Sequence, residues 1–567
     1  MSRPRDKKPA AAKATKKSAA KAKPVKKVSS QTSTEADPPT FPVKAPPKPA
    51  HKVPEATVKK TSKRKAETEV KHDAQTNVKR PRVAPTPGSD GDEHASLKRE
   101  SAHPREKPTA AKKAKATKAE INRPPTEKLN VYVFGEGSSG ELGLGSAKGQ
   151  TEVKRPRYNP NLSPDSVGVV ALSVGGMHTA ALTHDNKILT WGVNDQGALG
   201  RDTAWEGGLR DIDEDASDSD SDSGSETAVN PRESTPGEVD LSGVPEDVKF
   251  SQVACTDSAT FVLTTQGDVY GWGTFRSNEG IFGFDPTTLI QLRPKLIKGI
   301  GKVIQLATGA NHVLALQESG AVYCWGSGQQ NQLGRRILER RATNSLIPTA
   351  IGTLKKIEYV GAGAYNSFAV KSNGDVYSWG LNNFGQTGVP KEFDESGNTK
   401  GNDVHMPIIV DTLGKFGKVT CIQGGSHHTV AVTDKHELLV WGRIDGNQSG
   451  LKVQELPEDD VVRDSAGHPR ILVVPTQIPN IEALMAAAGS DHCIAIDKKG
   501  KAYSWGFSTT YQTGQGTSDD VELATLIDNT AVRDKKLVWA GAGGQFSVIA
   551  GLPAPLVNGV NGVNGHA

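Results

Sequence analysis

The stretch Asp375-Val376-Tyr377-Ser378-Trp379-Gly380-Leu381-Asn382-Asn383-Phe384-Gly385-Gln386-Thr387-Gly388 decides the fold. An alternating, aromatic-rich run meets a Trp-Gly pair, and a polar turn then closes on glycine. The phrase recurs as Ile188–Gly192, Val269–Gly273, Val322–Gly326, Leu438–Gly442 and Ala502–Gly506, and with Phe in place of Trp as Val131-Tyr132-Val133-Phe134-Gly135. Aligned on Gly135, Gly192, Gly273, Gly326, Gly380, Gly442 and Gly506, the copies are 57, 81, 53, 54, 62 and 64 residues apart. Short strands and glycine turns at a period of this size are the signature of a propeller blade.

A second phrase alternates with the first, a bend of small residues followed by an apolar strand. Its copies begin at Gly175, Thr256, Gly309, Gly363, Gly425, Gly489 and Gly543. Bend, strand, hairpin and strand make one four-stranded sheet per unit, and each sheet has apolar faces that need a neighbour. Seven such sheets predict an all-β, seven-bladed β-propeller over residues 127–552. The unit sequence opens on a Trp-Gly-type phrase and ends on a bend phrase at Trp539–Gly551. Pairing these two halves into one blade would remove two open sheet edges, which otherwise invite aggregation.

Charge divides the 567 residues. Residues 1–128 hold 33 Lys and Arg against 14 Asp and Glu, while the remainder holds 36 against 50, so the net of +5 conceals opposed halves. Residues 1–126 are rich in Lys, Ala, Pro and Thr and nearly free of aromatics, and read as a disordered basic tail. The clusters Lys63-Arg64-Lys65 and Lys79-Arg80-Pro81-Arg82 fit nuclear-import signals, with a solvated linker as the alternative. Such a tail is expected to hold DNA phosphates weakly and to lose affinity with salt. The long interval contains an acidic, serine-rich run around Asp211–Asp222, expected as a disordered insertion over about 203–240, and residues 553–567 read as a loose end. No apolar run approaches the roughly 20 residues needed to cross a bilayer, and no secretory signal is visible at the start. Cys255, Cys324, Cys421 and Cys493 stand singly, so neither zinc nor a disulfide framework is expected.

Stacking the units separates scaffold from site. One bend column reads His178, Ala259, His312, Asn366, His428, His492 and Phe546, and a histidine in four of seven units is framework, tying its bend by a hydrogen bond. The preceding column, Met177, Ser258, Asn311, Tyr365, His427, Asp491 and Gln545, repeats no type and is free to serve recognition. Before that stands a small residue (Gly176, Ala310, Ala364, Ser426, Ser490, Gly544), except at Asp257. This carboxylate is either a turn-former bonded to its own backbone or a functional group. After Trp272-Gly273 of the same unit, Thr274-Phe275-Arg276-Ser277-Asn278-Glu279-Gly280-Ile281-Phe282-Gly283-Phe284 replaces the polar turn. It reads as a protruding hairpin with an apolar body, a partner site, or as a longer hairpin folded back on the propeller. The recurring tryptophans occupy one repeat column and are blade core. No phosphate loop, metal-ligand spacing or Gly-x-Ser-x-Gly elbow occurs, so no covalent chemistry, metal or cofactor is expected.

These Trp/Phe-Gly phrases, the bends and the extended Trp272–Arg276 segment resemble the regulator of chromosome condensation family, chromatin-bound guanine-nucleotide exchange factors for the small GTPase Ran, and the tail and acidic insertion resemble those of a fungal member. The resemblance covers about residues 129–551. It implies a monomeric, nuclear exchange factor. Asp257 and His427 fall on the family's catalytic positions, and Phe275, Arg276, Ser277, Asn278, Glu279, Gly280, Ile281 and Phe282 fall on its wedge. Asn311 matches an acidic position and so lacks its charge, and Phe546 replaces a histidine. Arg340 and Arg341 fall on a loop that inserts arginine into the acidic patch of the nucleosome, with a solvated arginine cluster as the alternative. Expected partners are Ran, nucleosomes and DNA, and import receptors. The competing reading is a propeller-based chromatin adaptor without exchange activity.

Overall fold

The computed structural model describes residues 119–207, 229–390, 392 and 403–553. They fold into antiparallel four-stranded sheets, beginning with Val169–Val174, His178–Thr183, Ile188–Gly192 and Gly237–Glu238. Next come Phe250–Cys255, Ala259–Thr264, Val269–Gly273 and Gln291–Leu296, then Val303–Thr308, His312–Gln317, Val322–Gly326 and Thr349–Ala350. The following sheet is Ile357–Ala362, Asn366–Lys371, Val376–Leu381 and Asp403–Ile409. Two more share one uninterrupted 20-residue strand, Pro469–Ala488. Its first part pairs with Glu437–Arg443 and its last part with His492–Asp497, so it is the outer strand of one sheet and the inner strand of the next.

The chain closes on itself. Asn130–Glu136 pairs with Phe546–Gly551 from Asn130↔Gly551 to Gly135↔Phe546, flanked by Glu152–Tyr158 and Leu537–Ala542. Successive inner strands pack side by side from Val169–Val174 round to Leu537–Ala542, which returns to Val169–Val174. The second strands are near-continuous runs of apolar and small residues, which is why they are buried along nearly their whole length between neighbouring sheets.

The repeated tryptophan is the joint between neighbours. Trp191, Trp272, Trp379, Trp441 and Trp505 donate Nε1–H to a turn carbonyl of the preceding sheet, at 2.8–3.0 Å. The glycine two residues after that carbonyl has positive φ, and a Cβ there would sit 2.7 Å from the Trp272 indole at Gly200 and 2.8 Å from that of Trp505 at Gly450. Glycine is thus demanded twice at each turn, by conformation and by the indole lying on it.

The framework histidines are tied differently from the local bond expected. Each imidazole reaches the next sheet: His178 Nε2 to Thr260 Oγ1 (2.9 Å), His312 Nε2 to Ser367 Oγ (2.8 Å), His428 Nε2 to Cys493 Sγ (3.0 Å) and His492 Nε2 to Ser547 Oγ (2.8 Å). The Thr260, Ser367 and Ser547 hydroxyls donate onward to the carbonyls of Ala198, Gln332 and Gln512, so they accept from the imidazole, which carries its proton on Nε2. Burial depresses these histidines to about 3 or 4 and keeps them neutral.

Part of the stretch expected as an insertion is built into the sheet. Asn230 caps a short helix, Pro231–Ser234, by accepting from Arg232 N (2.9 Å), and Gly237–Glu238 supplies the fourth strand beside Leu189 and Thr190. The outer strand needs only two residues here, too few to leave a periodic trace in the sequence. The acidic run itself, the tail clusters Lys63-Arg64-Lys65 and Lys79–Arg82, and residues 554–567 lie outside the described residues.

Candidate functional site

The bends converge on one end of the ring, round a central mouth. A belt of backbone hydrogen bonds passes between neighbouring bends there: Asp257 N to Ala310 O, Ala310 N to Ala364 O, Ala364 N to Gly425 O, Ser426 N to Ser490 O, Ser490 N to Gly543 O and Gly544 N to Gly176 O, all 2.9–3.2 Å. Asp257 projects from this belt.

The turn role that could have claimed Asp257 is taken by its neighbour. Thr256 Oγ1 accepts from Ser258 N (3.4 Å) and Ala259 N (2.9 Å), which leaves the carboxylate of Asp257 without a hydrogen-bond donor among the described residues. The side chain is exposed, yet it stands in the mouth with the Gly176 backbone on one side. Crowding by protein atoms pushes its pKa up to about 6, moderated by the Arg276 guanidinium. An ionisable group with no structural bond, perturbed and open to solvent, is a candidate functional residue.

Asp257 and the hairpin share one groove, walled by Gly176, Asp257, Arg276, Asn278, Gln330 and Tyr365. The hairpin consists of Phe275–Ser277 and Gly280–Gly283, pairing Arg276↔Ile281 and Ser277↔Gly280 as a separate two-stranded ribbon. Its tip turns at Gly280, φ +118°, with nothing within 4 Å of an added Cβ. Two side chains from the next sheet hold it: Arg276 N donates to Asn311 Oδ1 (2.7 Å) and Asn278 N to Gln329 Oε1 (2.8 Å). Asn311, where a charge was missing, therefore serves as a clamp on the hairpin's first strand.

The apolar body expected on the hairpin's surface lies underneath it. Phe275 and Phe284 are buried and Phe282 is partly buried, in a cluster with Phe261, Trp325 and Leu346. Phe261 stacks with Phe275 at 5.9 Å and Phe284 at 6.2 Å, and meets Trp325 edge-on at 5.8 Å. The cause is the insertion itself. Elsewhere a turn from the preceding sheet lies beside the Trp-Gly glycine, with Gln332 Cα 3.2 Å from a Cβ at Gly380 and Gln386 Cα 3.4 Å at Gly442. At Gly326 that place is taken by Phe275 Cε1, at 3.1 Å. What the hairpin offers to a partner is Arg276, Asn278, Glu279 and the apolar Ile281, 47% exposed.

His427 stands on the same recognition column, half-buried. Its ring packs on Phe384 at 4.9 Å and faces Tyr365 at 6.3 Å, and Nδ1 lies 3.4 Å from Gln386 Nε2, which makes Nδ1 the acceptor. Burial, and behind it Arg443, hold its pKa below the ordinary value, so the imidazole is neutral at pH 7. Arg443 and Arg470 flank Phe384 at 5.4 and 5.2 Å, and Arg443 is tied to Asp445 (2.5 Å) and Asp491 (3.6 Å).

Tyr365 is the residue that sequence reasoning left unassigned. It borders both the Asp257 groove and the His427 ring, and burial together with the Asp257 charge raises its pKa. Its presence in the variable bend column was the available signal. Arg340 and Arg341 are exposed at the start of the 3₁₀ segment Glu339–Leu346, with no side-chain hydrogen bond or ion pair to the described residues. Arg335, four residues earlier in the chain than Glu339, is instead structural, with Nη1 donating to Cys324 O (3.1 Å).

Comparison with known proteins gives a consistent result. A family model described as RCC1-like domain matches residues 130–549. Protein pim1 of Schizosaccharomyces pombe is 42% identical over 442 residues, covering 77% of this chain and 78% of that protein. Guanine nucleotide exchange factor SRM1 of Saccharomyces cerevisiae is 40% identical over 434 residues, covering 75% and 87%. The crystal structure of Saccharomyces cerevisiae Prp20p, described with its binding properties to Gsp1p and histones, superposes with a TM-score of 0.69 at 37% identity, covering 76% of this chain and 94% of that one. Yeast RCC1 (Prp20) solved with Kap60 bound gives the same TM-score at 36% identity, covering 80% and 97%.

Proposed function

The chain belongs to the family of RCC1-like domains, and on that premise we propose that it is a guanine-nucleotide exchange factor which binds the small GTPase Ran and accelerates GDP/GTP exchange on chromatin, in the nucleus. The similarity to exchange factor SRM1 and to Prp20p, whose partners are Gsp1p and histones, supports the activity and the partners, and the Kap60 complex supports an import receptor as a further partner. The finer architecture belongs to the same reading: a seven-bladed propeller, one blade made from both ends, preceded by a basic tail that carries Lys63-Arg64-Lys65 and Lys79–Arg82 to the import receptor and adds phosphate contacts on DNA.

Exchange requires no covalent step. A GTPase holds its nucleotide through phosphate-loop amides, a lysine and Mg²⁺, all charge-assisted contacts. The hairpin tip, with Ile281 between Arg276 and Glu279, enters that region and disfavours bound phosphate. Asp257, ionised and unbonded, takes the cationic partner that phosphate relinquishes. His427, neutral and fixed against Phe384, offers its Nε2 to the same loops. Phe275 contributes from below, as the base on which the hairpin stands. Coupling is reciprocal: whatever factor the propeller takes from nucleotide affinity, nucleotide takes from propeller affinity, so arriving GTP resolves the complex and the nucleotide excess sets the direction. Arg340 and Arg341 would act separately, on the acidic surface of the nucleosome.

The observation that carries this reading is the unbonded, solvent-open carboxylate of Asp257 in one groove with Arg276 and the hairpin. The test is release of fluorescent GDP from Ran by catalytic amounts of the full chain. Asp257→Ala and His427→Ala should each slow release while leaving the melting temperature in place. No release by the unmodified protein, with nucleosome binding intact, would establish the adaptor instead.

A further inference from the structure

We propose that Gly176 is a positioning residue for exchange: the side chain it lacks is the recess in which the Asp257 carboxylate lies. The inference rests on the role given to Asp257 above and assigns that role a second residue, from a different sheet.

The geometry is specific. A Cβ built on Gly176 would stand 2.7 Å from Asp257 Oδ1, 3.1 Å from its Cγ and 3.5 Å from its Cα. The carboxylate fills the place where a methyl would go, and no hydrogen bond holds it there, so its position depends on that vacancy. Nothing else in the bend demands glycine at 176. Its φ lies outside the left-handed region, and the equivalent bends carry Ala310, Ala364, Ser426 and Ser490 with the same belt of backbone bonds. Gly176 O keeps its bond from Gly544 N whatever the side chain. Alanine is therefore compatible with the bend, and the contact it creates is with the far end of a movable side chain. To restore van der Waals separation the carboxylate must shift by roughly 1 Å, away from the place set by Gly176 and Arg276.

A displacement of that size costs up to about 100-fold where geometry carries a rate. Gly176→Ala should then lower kcat/KM for nucleotide release by about tenfold or more, with an unchanged melting temperature. A purely structural glycine would behave in the opposite manner. Gly176→Ala, Asp257→Ala and the double variant of the full chain, assayed on fluorescent-GDP-loaded Ran, form a cycle. If Gly176 acts through Asp257, the double variant releases GDP at the rate of Asp257→Ala alone. Should Gly176→Ala melt earlier, rates are taken well below its transition and Gly176→Ser, which mirrors Ser426 and Ser490, is added to the cycle. Wild-type release by Gly176→Ala beside a slow Asp257→Ala overturns the inference and leaves the exchange reading intact. So does a double variant slowed by the product of the single losses. Wild-type release by Asp257→Ala overturns both.

Discussion

Lowering the pH should switch off exchange through one carboxylate. Asp257 has its pKa pushed up to about 6. If its charge is what engages the GTPase, the active fraction of the protein falls as that carboxylate takes up a proton. Between pH 7.5 and pH 5.5 the ionised fraction of a group with pKa 6 drops about fourfold, whereas an ordinary carboxylate near 3.9 stays fully ionised over the same range. Initial rates of GDP release are to be measured across this window, with the Asp257→Asn profile as the blank for titrations that belong to the GTPase. The stability sign runs the other way. A carboxyl whose pKa is raised on folding costs native stability above its folded pKa, and that cost disappears only below the unfolded value. Asp257→Asn should therefore melt no earlier than the parent at pH 7.5, and because the carboxylate is open to solvent, any gain should be small. Arg276 holds the pKa down from where crowding by protein atoms alone would put it, so Arg276→Gln should move the acid limb to higher pH. An acid limb retained in Asp257→Asn, or a parent profile flat to pH 5.5 once the fold has been checked by circular dichroism, would refute the reasoning.

Other expectations follow from the same contacts. Phe275→Ala removes the ring that packs on Phe261 beneath the hairpin and should cost about 3–5 kcal/mol in urea denaturation, with exchange impaired through loss of the hairpin's base. Ile281→Ser, at the exposed tip, should leave stability within about 0.5 kcal/mol while slowing release, so the two variants separate foundation from contact. The four buried histidines are neutral when folded and depressed far below their unfolded value, so native stability is full above about pH 6.5 and falls as protons bind the unfolded chain, by about 1.4 kcal/mol per pH unit for each histidine below that point. Urea midpoints that do not fall between pH 7 and pH 5.5 would contradict that assignment. Replacing Arg340 and Arg341 by Ala should weaken nucleosome binding, while leaving GDP release in solution unchanged.

The frame was legible because it is written repeatedly. Period-2 alternation ending in Trp-Gly gave the third strand of nearly every sheet, and the two half-units at the ends gave the pairing of Asn130–Glu136 with Phe546–Gly551. Asp257 was legible for a related reason: sister units supply the comparison against which one carboxylate stands out. What could not be read was anything made between units. That His312 is tied to Ser367 rather than to its own bend, or that Phe384 carries the His427 ring, depends on which side chain the neighbouring sheet presents at a given height. Gly176 illustrates the limit best. In its column it is one small residue among several, and only the 2.7 Å approach of a carboxylate from the adjacent sheet distinguishes it.

The hairpin shows why a site and a scaffold need not compete for the same residues. In the other units the polar turn covers the next tryptophan, or Phe134 in the closing sheet, and contributes a glycine that lies on the ring. A unit that gave up this turn to gain a projecting ribbon would leave Trp325 uncovered, a large apolar void at a joint of the ring. The sequence resolves this with Phe275 and Phe284, which flank the ribbon at its base and refill the gap against Phe261 and Trp325. Ribbon and filling therefore stand or fall together. Shortening 274–284 to a glycine-type turn should keep the propeller folded only if the turn carbonyl and glycine are restored over Trp325. Deleting the ribbon tip between Arg276 and Ile281, with Phe275 and Phe284 kept, should preserve the melting temperature and abolish release. A tip deletion that unfolds the protein, or one that still releases GDP at the parental rate, would show that ribbon and filling are not divided in this way.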